Sequence, residues 1–102
     1  MKQELQHDYF TIVPADVRYD HSLNFGARML YSEFIALLNE NDYTTVTNAY
    51  LSKLYCVSSR TICTWISELK EGGHISLELI YNEDRKEIKE RRIFLTRKIN
   101  IW

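Results

Sequence analysis

The sequence predicts an α+β domain in which a three-helix core is closed by a β-hairpin, and three observations carry that prediction. Apolar residues recur at three- and four-residue steps in three separate stretches, the period of a helix with one buried face. The last of these stretches ends at Gly72-Gly73, a stop signal that glycine supplies because it takes the left-handed cap conformation without steric cost. Two alternating runs then follow, divided by the turn-forming Asn82-Glu-Asp-Arg-Lys86. The order of helix, short strand, helix, helix and hairpin is that of a winged helix-turn-helix.

Each element has its own signal. Residues 9–20 form an extended lead-in, with Pro14 disfavouring helix at Val13 and able to open a short helical turn of its own. The first helix is expected over 24–39, capped by Asn24, with Ala27, Leu30, Tyr31, Phe34, Leu37 and Leu38 in one stripe. The aromatic and β-branched run Tyr43-Thr-Thr-Val46 suits a small strand pairing with the hairpin. Thr47 caps the second helix, which buries Leu51 and Leu54. Cys56-Val57 makes the turn, with Val57 pointing inward. Ser58 caps the third helix, and Ile62, Trp65, Ile66 and Leu69 share its inner face. Residues 75–81 and 88–96 are the hairpin strands, with Arg91, Ile93 and Leu95 on one side and Arg92 and Phe94 on the other. The chain thus divides into an N-terminal arm (1–23), the winged helix-turn-helix (24–98) and a short tail (99–102) whose apolar character suggests truncation from a longer protein.

Size and composition limit the possible functions. The chain has 102 residues, enough for one domain, and 45% of them are apolar, too many for a disordered segment. No apolar run approaches the roughly 20 residues that span a bilayer, and residues 1–8 lack the apolar stretch of a secretory signal. A cytoplasmic protein with no membrane partner is expected. Cys56 and Cys63 stand seven apart with no ligand spacing around them, so they are read as reduced, half-buried thiols and no metal or other cofactor is expected. His7, His21 and His74 have no partner at a recognisable spacing, no phosphate-cradling glycine loop is present and no carboxylate pair stands out; an enzyme is not expected.

Charge is distributed unevenly. The net charge is −1, but residues 1–43 hold three basic residues against seven acidic ones, and residues 44–102 ten against seven. Residues 85–98 alone hold seven basic residues and two acids. Positive charge therefore gathers where a wing would lie, although a charged hairpin is also what solvation alone produces.

Spacing then yields a candidate interface with double-stranded DNA. With Ile62, Trp65, Ile66 and Leu69 facing inward, the third helix presents Ser59, Arg60, Cys63, Thr64 and Ser67 outward. Short hydroxyls and a guanidinium suit the major groove, where arginine forks onto guanine O6 and N7. Ser59, Arg60, Thr64 and Ser67 are assigned to bases. Ser58 at the helix N-terminus, Lys53 and Asn48 on the preceding helix, and Arg85 and Lys86 at the hairpin tip are assigned to phosphates, which set register without reading sequence. The same surface is compatible with an ordinary solvated helix. Trp65 suits the core better than a stacking platform, and Arg91-Arg92 can pair with Glu78 or Glu90 across the sheet.

The run Tyr9-Phe-Thr-Ile-Val-Pro-Ala-Asp-Val-Arg-Tyr-Asp20 followed by Ala27-Arg-Met-Leu-Tyr31 resembles the N-terminal winged-helix domain of phage and plasmid replication initiators of Gram-positive bacteria, a group related to DnaD-type replication proteins. Thr47-Asn-Ala-Tyr50, Val57-Ser-Ser-Arg-Thr61, Trp65-Ile-Ser-Glu-Leu69 and Glu90-Arg-Arg-Ile93 add to the likeness, which covers residues 9–95. The resemblance implies binding of origin DNA and recruitment of replication proteins through a C-terminal region that this chain lacks. Where that family carries a basic residue in mid-helix, this chain has Thr64. A homodimer on repeated or palindromic sites is expected, with the apolar N-terminal arm as its contact. A transcriptional repressor of the same fold and a protein-interaction winged helix without DNA binding are the two alternatives.

Overall fold

Pro14 sets the first helical turn of the described residues. Its φ of −58° is what a helix start requires, and its carbonyl accepts from the amides of Val17 and Arg18 at 3.0 and 2.8 Å. The helical turn α1 (Ala15–Arg18) results. There follow α2 (Phe25–Leu37), β1 (Tyr43–Thr44), α3 (Asn48–Tyr55), α4 (Ser59–Glu71), β2 (Ile75–Tyr81) and β3 (Ile88–Leu95). This is a computed structural model, and it describes residues 11–96. The expectations for residues 1–10, for Arg97 and Lys98 and for the tail at 99–102 fall outside that range.

The described residues form an α+β fold with four helices and one antiparallel sheet of order β1-β3-β2. Tyr43 and Thr44 pair with Phe94 and Ile93, so the short strand joins the hairpin as its sequence predicts. Between β2 and β3 the register runs from Ile75 opposite Leu95 to Ile80 opposite Glu90, then shifts so that Tyr81 faces Ile88. Lys89 is the extra residue of that bulge.

The apolar stripes meet in one core. Ala27, Leu30, Tyr31 and Phe34 from α2, Leu51 from α3, and Ile62, Ile66 and Leu69 from α4 pack against Ile75 and Ile93 of the sheet. Burying each large aliphatic or aromatic side chain of this kind contributes about 1.5–3 kcal/mol. Capping follows the predicted residues on α3 and α4: the Thr47 hydroxyl accepts from the Tyr50 amide, and the Ser58 hydroxyl from the Thr61 amide, each at 3.1 Å. At the end of α4, Gly73 takes φ +81°, and the amides of Gly73 and His74 donate back to the carbonyls of Lys70 and Leu69. That pair of bonds is the Schellman pattern.

Four expectations are corrected. The lead-in is extended only in part: α1 is the short helical turn that Pro14 was able to open, and Val17 and Leu23 enter the core. Asn24 occupies the cap position of α2 but its side chain makes no capping bond there. Instead the Asn24 backbone N–H and Nδ2 donate to the two carboxylate oxygens of Glu68 at 2.8 and 2.7 Å, tying the start of α2 to α4. Leu54 is only half-buried. Cys56 and Cys63 are exposed rather than half-buried. Cys56 also ends α3 at φ +57°, a left-handed conformation more usual for glycine.

Candidate nucleic-acid interface

The candidate surface begins with the inner face of α4. Ile62, Ile66 and Leu69 are buried, and Trp65 packs against the core beside Tyr55. A helix turns 100° per residue, so burying these positions forces their neighbours outward. Ser59, Arg60, Cys63, Thr64 and Ser67 are all exposed. The side chains of Ser59, Arg60 and Ser67 make no hydrogen bond or ion pair among the described residues. Thr64 donates its hydroxyl back to the Arg60 carbonyl at 3.2 Å, so the oxygen keeps its capacity to accept.

The predicted phosphate contacts separate into two groups. Lys53, Arg85 and Lys86 are exposed and unpaired among the described residues. Arg85 sits at φ +59° in the hairpin turn, where its amide donates to the Asn82 carbonyl at 2.8 Å. The Lys86 amide donates to Asp84 Oδ1 at 2.9 Å. Ser58 and Asn48 are occupied otherwise. The Ser58 hydroxyl is committed to capping and to the Thr61 hydroxyl. Asn48 is half-buried, and its Nδ2 donates to Cys63 Sγ at 3.2 Å. The Asn48 amide thus braces α3 against α4 instead of projecting toward a backbone, and its buried Oδ1 has no partner among the described residues.

The two arginines that can pair across the sheet behave differently. Arg91 does not pair across the sheet. Its Nη2 donates to the Val46 carbonyl at 2.8 Å, joining β3 to the segment that leads into α3. Burial lowers its pKa from the ordinary arginine value, and the neighbouring Cys63 opposes that shift. The signal was present in the alternation: Arg91 lies on the core-facing side with Ile93, where a guanidinium must find an acceptor. Arg92, on the other side, does pair as predicted, with Glu90 and with Glu78. Its guanidinium also lies 4.7 Å from the Tyr43 ring centroid.

Between the Val46 segment and the hairpin lies a groove of about 480 Å³. Val46, Thr47 and Asn48 line one wall, and Leu79, Ile88 and Arg91 the other. The outer face of α4 adjoins it through the Asn48–Cys63 contact.

His74 is not isolated. Its Nε2 lies 2.7 Å from Asp20 Oδ2, and the Ser22 hydroxyl donates to Asp20 Oδ1 at 2.6 Å. The His74 hydrogen bond, helped by Ser22, holds the Asp20 carboxyl well below the usual carboxylate range. Because Ser22 donates to the carboxylate and not to the imidazole, the arrangement lacks the hydroxyl-to-imidazole contact of a nucleophilic site. It fastens the α1–α2 connection to the start of β2. No group of three or more His, Cys, Asp or Glu side chains among the described residues is placed to hold a metal ion. No described helix is long and apolar enough to cross a membrane.

No family model, curated protein or solved structure matches this chain.

Proposed function

We propose that this chain binds double-stranded DNA as a winged helix. In that reading α3 and α4 are the helix-turn-helix, α4 enters the major groove, and the β2–β3 hairpin is the wing lying along the adjacent backbone. One observation carries it: the exposed edge of α4 opposite Ile62, Ile66 and Leu69 bears Arg60, whose guanidinium has no hydrogen bond or ion pair among the described residues. Ser59, Thr64 and Ser67 flank it, all donors and acceptors suited to base edges. Lys53, Arg85 and Lys86 supply phosphate contacts at either end. The Arg91–Val46 bond supports the reading further, because it holds the hairpin at a set position relative to the helices.

The resemblance to phage and plasmid replication initiators narrows the role to origin recognition inside the cell. A transcriptional repressor would use the same contacts. The location of the preferred site separates the two: within the protein's own gene for an initiator, over a promoter for a repressor. A homodimer with half-sites one helical turn apart is the expected form on repeated sites. Exposed Ile12, Tyr19, Phe25 and Met29, on and beside α2, are candidate dimer contacts.

Selection of bound sequences from a random duplex pool, followed by titration at two salt concentrations, tests the proposal. An enriched motif and affinity that falls with salt are expected. Absence of any salt-dependent binding would leave a protein-interaction module as the better description.

A further inference from the structure

In the strand order β1-β3-β2, β2 lies at the edge of the sheet among the described strands. The Thr96 amide donates to the His74 carbonyl at 3.1 Å, and the Asn82 amide to the Glu87 carbonyl at 2.9 Å. Bonded and non-bonded positions alternate along an antiparallel pair. Ser76, Glu78 and Ile80 therefore carry the bonds to β3, and the N–H and C=O groups of Leu77, Leu79 and Tyr81 point away from the sheet. The same alternation puts these three side chains on the face that holds the buried Ile75. Leu79 and Tyr81 are 41% and 48% exposed.

Sheet edges are ordinarily guarded by lysine, proline, a bulge or a covering element. None of these guards β2. Its seven residues include no proline and no lysine, and Glu78 is its single charge. The bulge falls in β3. A hollow of about 440 Å³ runs beside the strand, lined by Leu79, Ile80, Tyr81, Asn82 and Arg85. These all belong to the hairpin itself, so no other described element covers that stretch.

The edge is complementary to itself. Around the hairpin tip Glu83, Asp84 and Glu87 balance Arg85, Lys86 and Lys89, so two copies can approach there without net repulsion. With Leu79 opposite Leu79 of a second copy, Leu77 faces Tyr81 and Glu78 faces Ile80, and five residues of each strand pair. The outward N–H and C=O groups of Leu77, Leu79 and Tyr81 then meet as bonded pairs. Neighbouring registers fit less well. Centring on Glu78 opposes two carboxylates, which is destabilising. Centring on Leu77 leaves Tyr81 opposite Gly73, and centring on Ile80 leaves Leu77 opposite Glu83, both beyond the strand.

We propose that the β2 edge is the contact for a second copy of this chain, made by antiparallel β2–β2 pairing centred on Leu79. The two three-stranded sheets become one continuous sheet. Main-chain bonds hold the pair together, and the Leu79–Leu79 and Leu77–Tyr81 contacts set its register. The inference does not depend on DNA binding, and it uses a different surface from the exposed residues beside α2. Pairing over so short a stretch is smaller than a standard interface, so the dimer is weak, with a dissociation constant on the order of 100 μM.

Sedimentation equilibrium of the full chain without DNA, over concentrations about tenfold to either side of that value, tests the proposal. The wild type should show a reversible monomer–dimer equilibrium. Leu79→Lys sets like charges opposite each other and should raise the dissociation constant at least about tenfold. Its melting profile should stay unchanged, since Leu79 lies outside the core. Phe25→Ser/Met29→Ser should leave the equilibrium as it is. Cross-linking reads the register. In a Cys56→Ser/Cys63→Ser background, Leu79→Cys should form an intermolecular disulfide with copper phenanthroline in air, because Cα atoms of a bonded pair stand about 5.5 Å apart. Ser76→Cys should not, because its two copies lie about 20 Å apart in this register. A monomer at every concentration overturns the proposal, as does a dimer that survives Leu79→Lys. Loss of that dimer in Phe25→Ser/Met29→Ser would move the contact to the face beside α2. Equal cross-linking of Leu79→Cys and Ser76→Cys overturns the paired edge. Where Leu79→Lys also melts earlier, the cross-linking contrast alone decides.

Discussion

The Trp65 indole lies across the backbone of Gly26 so closely that a β-carbon added there would stand 2.1 Å from Cζ2 of the ring. The absence of a side chain at one position of α2 lets the largest side chain of α4 seat against it. That contact helps set the rotation of α4, and hence which edge of it faces solvent. Gly26→Ala should destabilise the fold by about 1–3 kcal/mol, the usual cost of overpacking, despite alanine's better helix propensity. Trp65→Leu in the same chain should recover part of the loss. Urea denaturation of the single and double variants measures both, and additive effects would contradict the contact.

Arg60 stands alone at the outer edge of α4, so its replacement should affect recognition without touching the core. Arg60→Ala should cost about 1–3 kcal/mol on a selected site and relax preference at one base position. Unchanged thermal unfolding would accompany it. Equal affinity of variant and wild type for that site would remove Arg60 from the base-reading set.

Lys86, at the hairpin tip, is expected to meet phosphate only. Lys86→Ala should weaken binding to every duplex by a similar factor and reduce the slope of log affinity against log salt by about one. A sequence-dependent loss would instead place Lys86 at a base edge.

The Asp20–His74 pair makes a prediction about acid stability. The folded-state pKa of Asp20 lies below its unfolded value, because the hydrogen bonds from His74 and Ser22 favour the carboxylate. Its contribution is therefore complete above the ordinary aspartate value of about 4 and lost as pH falls below it toward the depressed folded value. Asp20→Asn should be less stable than wild type at pH 6. Its stability should also fall less steeply between pH 4 and pH 2. Parallel pH profiles measured by denaturant titration would show that the pair carries no linkage.

The outward edge of α4 was more legible than the contacts around it. Arg60, Ser59, Thr64 and Ser67 are exposed as their spacing from Ile62 and Leu69 predicts, because helical period fixes one edge once the other is buried. Asn48 has the residue type of a phosphate contact, but its place depends on how closely α3 approaches Cys63 of α4. From sequence, pairing with Glu78 or Glu90 was one open option for Arg91. Its acceptor, the Val46 carbonyl, is a backbone group 45 residues away, and no pattern of side chains announces it.

Local periodicity and short-range capping determined where α2, α3, α4 and the hairpin lie, since pitch, pleat and the Thr47, Ser58 and Gly73 ends all act within a few residues. Tertiary structure alone decided that Glu68 would hold Asn24, that Asp20 would meet His74, and that Cys63 would meet Asn48. Those contacts join residues 44, 54 and 15 positions apart. Their existence depends on the rotation and separation that whole elements adopt when their apolar faces pack together.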